Sequence, residues 1–145
     1  MHPYPHLYRA SAAGAQAGLV TVASAQLPNI ETAPPPEFDG PGGVWSPEGL
    51  LCAAVADCFI LTFRGISRAV RLEWTTLECR VEGTLERVDG TAQFTRFTTF
   101  ATLTVPAGAD VAKAQALLER AEHSCLVSNS LRGARSLEAK VVETL

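Results

Sequence analysis

The stretch "SPEGLLCAAVADCFILTFRGISRAV", residues 46–70, decides the fold because it predicts one long apolar helix. Ser46 is a favoured N-cap residue, and Pro47 suits the first position of a helix. From residue 50 to residue 63 the chain is apolar on nearly every helical face, and Asp57 is the one charge in that run. Since a helix that is apolar all round is normally buried, we expect a central helix that other elements cover on most sides.

Strands are predicted on both sides of this helix. Residues 8–33 combine small residues with the β-prone run "LVTVAS" and predict two short strands joined by a turn. Residues 33–45, "APPPEFDGPGGVW", are too rich in proline and glycine for regular structure and predict a loop. After Trp74 apolar and polar residues alternate, and the dipeptide Asp89-Gly90 predicts a tight hairpin turn between two strands.

A second helix and a last strand complete the predicted order. Asp110 is the expected N-cap of a helix within residues 110–131, where apolar residues recur with helical spacing, and residues 136–145 alternate again. The order β, β, helix, β, β, helix, β predicts a single α+β domain over residues 1–145. In it, antiparallel β-sheets surround a long buried central helix and a second long helix.

The composition argues against several classes of partner. A chain of 145 residues that is 47% hydrophobic and 19% charged can bury one core of ordinary size. Its net charge of −3 is spread along the sequence, so we expect neither nucleic acid nor a membrane surface as partner. The longest apolar run has about 14 residues, short of the roughly 20 that span a bilayer. The first ten residues lack the apolar core of a signal peptide, which predicts a cytoplasmic protein.

Four cysteines raise the question of a redox site. Cys58 lies in the middle of the central helix, and Cys125 lies near the end of the second helix on its apolar stripe. Both are either small core residues or a transient redox pair, and their spacing does not decide between these two interpretations. Cys79, on the apolar face of its strand, and Cys52 are interpreted as core residues.

A metal site is not predicted. Zinc sites usually contain closely spaced Cys or His ligands, and the sequence has no Cys-x2-Cys pair. His123 and Cys125 are two residues apart, so they point to different sides of a helix. We therefore expect no metal and no cofactor.

Two segments together resemble the OsmC/Ohr family of thiol-dependent peroxidases. The segment "SPEGLLCAAVADCF", residues 46–59, has that family's N/S-P-E-x-L helix start and a cysteine ten residues after the glutamate. The segment "AEHSCLVSNSL", residues 121–131, has a cysteine in the family's C-x-V/I-S-x-x-L context. The resemblance extends from about Phe38 to the C-terminus. It implies the OsmC-like fold and an intertwined homodimer with two active sites at the subunit interface.

The resemblance also implies a mechanism. Cys58 matches the cysteine that attacks an organic hydroperoxide, and Cys125 matches the cysteine that resolves the sulfenic acid as a disulfide, which an external dithiol then reduces. Glu48 matches the family's catalytic glutamate. It lies about 15 Å from Cys58 along one helix, so a glutamate that assists the chemistry would come from the other subunit.

One expected residue of the family is missing. Family members pair the glutamate with an arginine, but the two matching positions hold Gln16 and Glu37. The nearest substitutes are Arg9, on the first strand, and Arg64, which lies about 240° round the helix from Cys58. His123 is a further candidate base. For Arg64 and His123, a solvated surface position is the simpler interpretation.

Two function classes therefore remain open. The first is a peroxidase that reduces organic hydroperoxides through Cys58 and Cys125, as the retention of both cysteines favours. The second is a noncatalytic dimer of the same fold that binds a small apolar ligand, as the missing arginine favours.

Overall fold

The computed structural model describes residues 1–145, which form two compact units, Met1–Leu50 and Leu51–Leu145. The first unit contains a three-stranded antiparallel sheet in the order β1-β2-β3. Its strands are β1 (Ser11–Ala13), β2 (Val20–Ala23) and β3 (Ile30–Thr32). Two strands were expected, and the third escaped prediction because a run of three residues is too short to show alternation. The single domain over residues 1–145 stays a prediction.

The proline-rich loop follows β3. It is irregular as predicted, apart from one turn of 3-10 helix at Pro36–Phe38. Gly40 fixes its path, because a Cβ at that position would lie 1.6 Å from the carbonyl oxygen of Pro34. Only glycine allows the backbone to pass this close.

The long helix α1 runs from Pro47 to Ala69. The predicted N-cap is confirmed, since the amide of Gly49 donates a hydrogen bond to Oγ of Ser46 at 3.1 Å. The single chain buries only one stripe of α1, formed by Val55, Phe59, Phe63 and Ser67. The expectation of burial on most sides is therefore not met within one chain, because no element of this chain covers the opposite face, where Leu61 is 52% exposed.

Helix α1 has 23 residues and is therefore longer than the predicted apolar run of about 14 residues. With a mean hydropathy of 1.7 over its most apolar window, the helix is long and apolar enough to cross a membrane. Core helices of soluble proteins have the same length and composition, so this property alone is weak evidence for a membrane span.

The second unit contains a sheet in the order β4-β5-β6. The strands are β4 (Thr76–Val88), β5 (Thr91–Val105) and β6 (Ala134–Glu143). The predicted hairpin turn is confirmed, because Asp89 and Gly90 have φ of 48° and 79°, as a two-residue turn with both φ positive requires. β6 pairs in parallel with β5, so this sheet is mixed rather than wholly antiparallel. The reason is that helices, not a hairpin, connect these two strands.

Two helices form that connection, α2 (Val111–Ser124) and the short α3 (Leu126–Asn129). The predicted cap of α2 is confirmed, since Oδ1 of Asp110 accepts a hydrogen bond from the amide of Lys113 at 2.9 Å. The inner face of the sheet, α1 and α2 share one apolar core. Its largest fully buried side chains include Phe59, Phe63, Leu103 and Leu118.

Helix α1 lies antiparallel to β4. Near the start of the helix, Sγ of Cys52 would lie 2.9 Å from a Cβ built on Gly83. Near its end, the ring of Phe63 packs edge-on against Trp74 at 5.4 Å, and Nε1 of Trp74 donates a hydrogen bond to Oγ of Ser67. Since Trp74 precedes β4 and Gly83 lies well along it, the two elements run in opposite directions.

Candidate redox site

The first thiol of the site belongs to Cys58. The helical stripe that packs on the sheet passes through Val55 and Phe59, and Cys58 lies at the edge of this stripe, half-buried. Its Sγ lies 3.9 Å from Oγ1 of Thr62, one helical turn later. The thiol therefore sits on a rigid element beside a hydroxyl group.

The second thiol belongs to Cys125, and its predicted position in the helix is corrected. Helix α2 ends at Ser124, and Cys125 links it to α3 with an extended backbone of φ −65° and ψ 108°. The side chain is only 1% exposed. Oγ of Ser128 donates a hydrogen bond to its sulfur at 3.4 Å. The apolar stripe was correctly read as buried, but the sequence carries no glycine or proline to mark this break between helices.

The structure brings Cys58 and Cys125 together. Burial raises the pKa of the Cys125 thiol above its ordinary value, and hydrogen bonds from the side chain and backbone of Ser128 lower it again in part. The neighbouring Cys58 thiol raises the pKa further, both as a hydrogen-bonding group and through its charge. Both cysteines are free thiols. The two thiols therefore lie close enough to influence each other.

Arg135, which no sequence motif indicated as a site residue, fixes the junction between α2 and α3 at Cys125. Nε of Arg135 on β6 donates to Oε1 of Glu122 at 2.7 Å, and its guanidinium also bonds the carbonyl of Glu122. A further bond at 2.6 Å joins Arg135 to Oδ1 of Asn129 on α3. One guanidinium thus fastens the end of α2 to α3, with Cys125 between them.

A third cysteine belongs to the same neighbourhood. Burial raises the pKa of Cys79 to about 11, and the charge of Cys125 adds to this shift. The prediction that Cys79 packs against the core is confirmed. Its closeness to Cys125 was missed because the two residues are 46 positions apart and lie on different kinds of element.

The remaining candidates lie elsewhere in their own units. Gln16, Glu37 and Arg9 are exposed in the first unit, and Arg64 is exposed on α1. His123 is exposed to solvent, and its Nδ1 donates a hydrogen bond to the carbonyl of Glu119 at 2.8 Å. No group of three or more His, Cys, Asp or Glu side chains is arranged to hold a metal ion.

Glu48 is the predicted site residue of the first unit. It lies in the first turn of α1, where the helix dipole favours a carboxylate. Its Oε2 atom is buried and has no hydrogen-bond partner. An unpaired buried carboxylate oxygen is costly, so this atom is ready to accept a hydrogen bond from a group that this chain does not supply.

An open apolar cleft of about 400 Å³ lies at the hairpin end of the second sheet. Phe94 and Phe97 stack in its wall with ring centroids 5.2 Å apart. Its other apolar lining comes from Leu51, Val88 and Leu131, and Arg132 supplies a positive charge at the edge.

Comparison with known proteins places these features in a family. Residues 40–140 match the family model of OsmC-like proteins. The uncharacterized protein YmaD of Bacillus subtilis is 30% identical over 102 residues, which are 68% of each chain. An OsmC-like protein of unknown function from Vibrio cholerae superposes with a TM-score of 0.85 at 14% identity, over 93% of this chain and 99% of that one.

A structure of an organic hydroperoxide resistance protein OsmC from Legionella pneumophila has 26% identity and a TM-score of 0.73. The match covers 94% of this chain and 98% of the Legionella pneumophila chain. The predicted α+β fold and the predicted family are thereby confirmed. The chain belongs to the OsmC/Ohr family, which is related to organic hydroperoxide resistance.

Proposed function

We propose that the protein is a thiol-dependent peroxidase that reduces organic hydroperoxides through Cys58 and Cys125. The observation that supports this most strongly is the meeting of these two free thiols across 67 positions of sequence, one half-buried and one almost fully buried. A core needs no such pairing, since two unrelated small residues would fill the same space.

In the first step, the Cys58 thiolate attacks the terminal oxygen of the hydroperoxide. The bond between the two peroxide oxygens breaks, and the terminal OH group stays on Cys58 as a sulfenic acid. The alkoxide takes a proton from solvent and leaves as the alcohol. Oγ1 of Thr62 is placed to donate a hydrogen bond to the Cys58 thiolate, which stabilises the charge on sulfur before the attack. The half-buried position limits access of further peroxide to the sulfenic acid.

In the second step, Cys125 attacks the sulfur of the sulfenic acid. Hydroxide leaves as water and a disulfide joins the two residues. The hydrogen bond from Ser128 favours the thiolate of Cys125 against the effect of burial, so it promotes this attack. An external dithiol in a reducing cytoplasm then restores both thiols with two electrons.

The active unit is a homodimer in this proposal. The face of α1 opposite its buried stripe is left uncovered by this chain, and it presents Leu61 beside the charged residues Asp57 and Arg68. In the dimer, a second copy of this chain covers that face. Glu48 and Cys58 are about 15 Å apart along one straight helix, so the Glu48 that assists a given Cys58 belongs to the other copy. Its unpartnered Oε2 would then accept a hydrogen bond from the peroxide.

A noncatalytic, ligand-binding role is the second candidate. Two observations favour it: the family's arginine is replaced by exposed Gln16 and Glu37, and the pKa of Cys125 is raised. A small apolar ligand would occupy the cleft beside Phe94 and Phe97.

Disulfide mapping distinguishes the two candidates. The reduced protein is mixed with one equivalent of an alkyl hydroperoxide and quenched with acid within seconds. Free thiols are then blocked with an alkylating agent, and the protein is digested for mass spectrometry. We expect a peptide that joins Cys58 to Cys125. Cys58→Ser should abolish it, while Cys52→Ser, six residues earlier on the same helix, should leave it unchanged.

If both cysteines of the wild-type protein stay reduced under these conditions, the peroxidase proposal is wrong. The cleft should then be tested for an apolar ligand by isothermal titration calorimetry, with Phe94→Ala as the variant that removes part of its wall.

A further inference from the structure

The two thiols of the proposed site differ in how a second molecule can reach them. Cys125 is only 1% exposed, and the elements that cover it belong to its own chain, at the junction of α2 and α3. Cys58 lies at the edge of the buried stripe of α1 and is half-buried. The adjacent Asp57 is exposed. Solvent therefore reaches the pair of thiols from the side of Cys58.

This difference decides which sulfur of the disulfide a reductant can attack. A thiolate must approach the attacked sulfur from the side opposite the sulfur that leaves, so access is a condition of the reaction. For Cys58, that side faces away from the buried Cys125. For Cys125, burial closes the approach. The hydroperoxide must also reach Cys58 in the proposed first step, so the active dimer has an opening at this sulfur.

The sulfur that leaves is then Cys125, and its surroundings set how readily it leaves. A thiol of lower pKa is the better leaving group, but burial raises the pKa of Cys125. Ser128 acts in the other direction. Its Oγ donates a hydrogen bond to Sγ of Cys125 at 3.4 Å, and both its side chain and its backbone lower that pKa. Ser128 is itself buried, so water does not compete for this bond.

We propose that the external dithiol enters at Cys58 and that Cys125 is the leaving group, which Ser128 stabilises. One thiolate of the dithiol attacks Sγ of Cys58, and the bond between Cys58 and Cys125 breaks. Cys125 leaves as a thiolate and takes up one of the two protons that the dithiol gives up. This step rests on the proposed peroxidase function, which forms the disulfide.

The second thiol of the reductant completes the exchange. It attacks the dithiol sulfur that is bound to Cys58, and Cys58 leaves as a thiolate, ready for the next hydroperoxide. The other proton goes to solvent. The dithiol loses two electrons and becomes a cyclic disulfide, while the protein gains the same two electrons and regains both thiols.

This order of events selects the class of reductant. A monothiol would stop at a mixed disulfide with Cys58. Cys125 would then attack Sγ of Cys58 and expel the monothiol, because a neighbouring group has an effective concentration far above that of a solute. We therefore expect a dithiol, whose second thiol competes with Cys125, to be the effective reductant.

The mixed disulfide identifies the attacked sulfur. The full-length protein is oxidised with one equivalent of cumene hydroperoxide and then mixed with 2-mercaptoethanol. Samples are quenched with acid from milliseconds to seconds, blocked with N-ethylmaleimide and mapped by mass spectrometry. We expect a 2-mercaptoethanol adduct on Cys58 together with a blocked Cys125. An adduct on Cys125 with a blocked Cys58 would overturn the proposal.

Ser128→Ala tests the leaving group. Starting from the preformed disulfide, reduction by dithiothreitol should slow about threefold to tenfold, because the departing thiolate loses a hydrogen-bond donor. Ser130→Ala is the matched control, since the hydroxyl of Ser130 bonds the carbonyl of Leu126 instead, and it should be reduced at the wild-type rate. An unchanged rate in Ser128→Ala would refute this role of Ser128.

Ser128→Thr separates the chemical role of Ser128 from a structural one. Threonine keeps the hydroxyl group, so this variant should be reduced faster than Ser128→Ala. A purely structural role predicts the opposite order, because the larger threonine fits a buried position less well than alanine does.

Diamide, which joins two thiols without peroxide, separates failure of the entry from failure of the peroxidase. If diamide forms the disulfide and cumene hydroperoxide does not, the peroxidase proposal is wrong, and the adduct on the diamide-oxidised protein still decides the entry. If the adduct lies on Cys125, entry at Cys58 is wrong and the peroxidase stands. If neither oxidant joins Cys58 to Cys125, both proposals are overturned.

Discussion

At the scale of single residues, Gly83 decides how closely α1 approaches the sheet. A Cβ at this position would lie 2.9 Å from both Sγ of Cys52 and Cε1 of Phe94. We expect Gly83→Ala to lower the free energy of unfolding by about 1–3 kcal/mol, because the added methyl group overpacks the contact. Urea denaturation followed by circular dichroism measures this loss.

A double-mutant cycle tests the stated cause. Cys52→Ala removes the sulfur that the new methyl group meets, so Gly83→Ala should cost less in that background than in the wild type. An equal cost in both backgrounds would show that the strain arises at Phe94 alone.

The raised pKa values of Cys79 and Cys125 make stability depend on pH. In the folded protein the neutral thiols persist to higher pH, to about 11 for Cys79, whereas in the unfolded chain they ionise near 9.0. Below pH 9.0 both states are protonated and the contribution is fully present. Above it the unfolded state binds fewer protons, so stability falls as pH rises toward about 11.

This dependence is measured as the urea midpoint at pH 8.5 and at pH 10.5 under a reducing agent. The midpoint should fall more for the wild type than for Cys79→Ala, which lacks one of the buried thiols. Equal falls in both proteins would contradict a raised pKa at Cys79.

At the scale of elements, the junction of α2 and α3 positions Cys125. Arg135 joins Glu122 to Asn129 across this junction. Arg135→Met keeps the aliphatic stem but removes these hydrogen bonds. The sulfur of Cys125 should therefore come into contact with the sulfur of Cys58 less often. We expect disulfide formation to slow by about tenfold or more, in line with the cost of losing charge-assisted hydrogen bonds.

Stopped-flow quenching with mass spectrometry measures that rate, and the rate of peroxide attack at Cys58 is the internal control. Arg132→Met, three residues earlier and outside the junction, should leave both rates unchanged. A slower first step in Arg135→Met would indicate a wider structural loss instead of a loosened Cys125.

The elements also show how far the sequence predicts this protein. Local signals were sufficient for the caps at Ser46 and Asp110 and for the turn at Asp89-Gly90, because each depends on side chains within a few residues. The parallel pairing of β6 and the break at Cys125 depend on contacts between distant segments, which alternation and helical spacing do not encode. Cys58 and Cys125 were found through their motif, and Ser128 was already part of it.

At the scale of the whole molecule, the uncovered side of α1 predicts self-association. Leu61 is 52% exposed on the face opposite the buried stripe. Leu61→Glu would replace the exposed apolar side chain of this face by a charge that the contact between two copies would bury, so we expect it to convert a dimer to a monomer. Analytical ultracentrifugation gives the mass directly.

Val111→Glu is the matched control, since Val111 is an exposed apolar residue at the start of α2, outside α1. It should keep the mass of the wild type. A wild-type protein that sediments as a monomer at micromolar concentration would refute the dimer.

The parallel pairing of β6 with β5 has a consequence for the order of events during synthesis of the chain. Cys58 and Cys79 leave the ribosome early, but the strand that carries Arg135 pairs beside β5 only after both helices of the connection have been made. A nascent chain that stops before residue 134 therefore holds its thiols without the arginine that positions Cys125. Stalled chains of that length should form the disulfide between Cys58 and Cys125 much more slowly than chains that include β6, when both are exposed to peroxide and mapped. The proposed activity would then begin only after residue 134 and the rest of β6 have been synthesised. Before that point, a sulfenic acid formed at Cys58 would be converted to a disulfide only slowly.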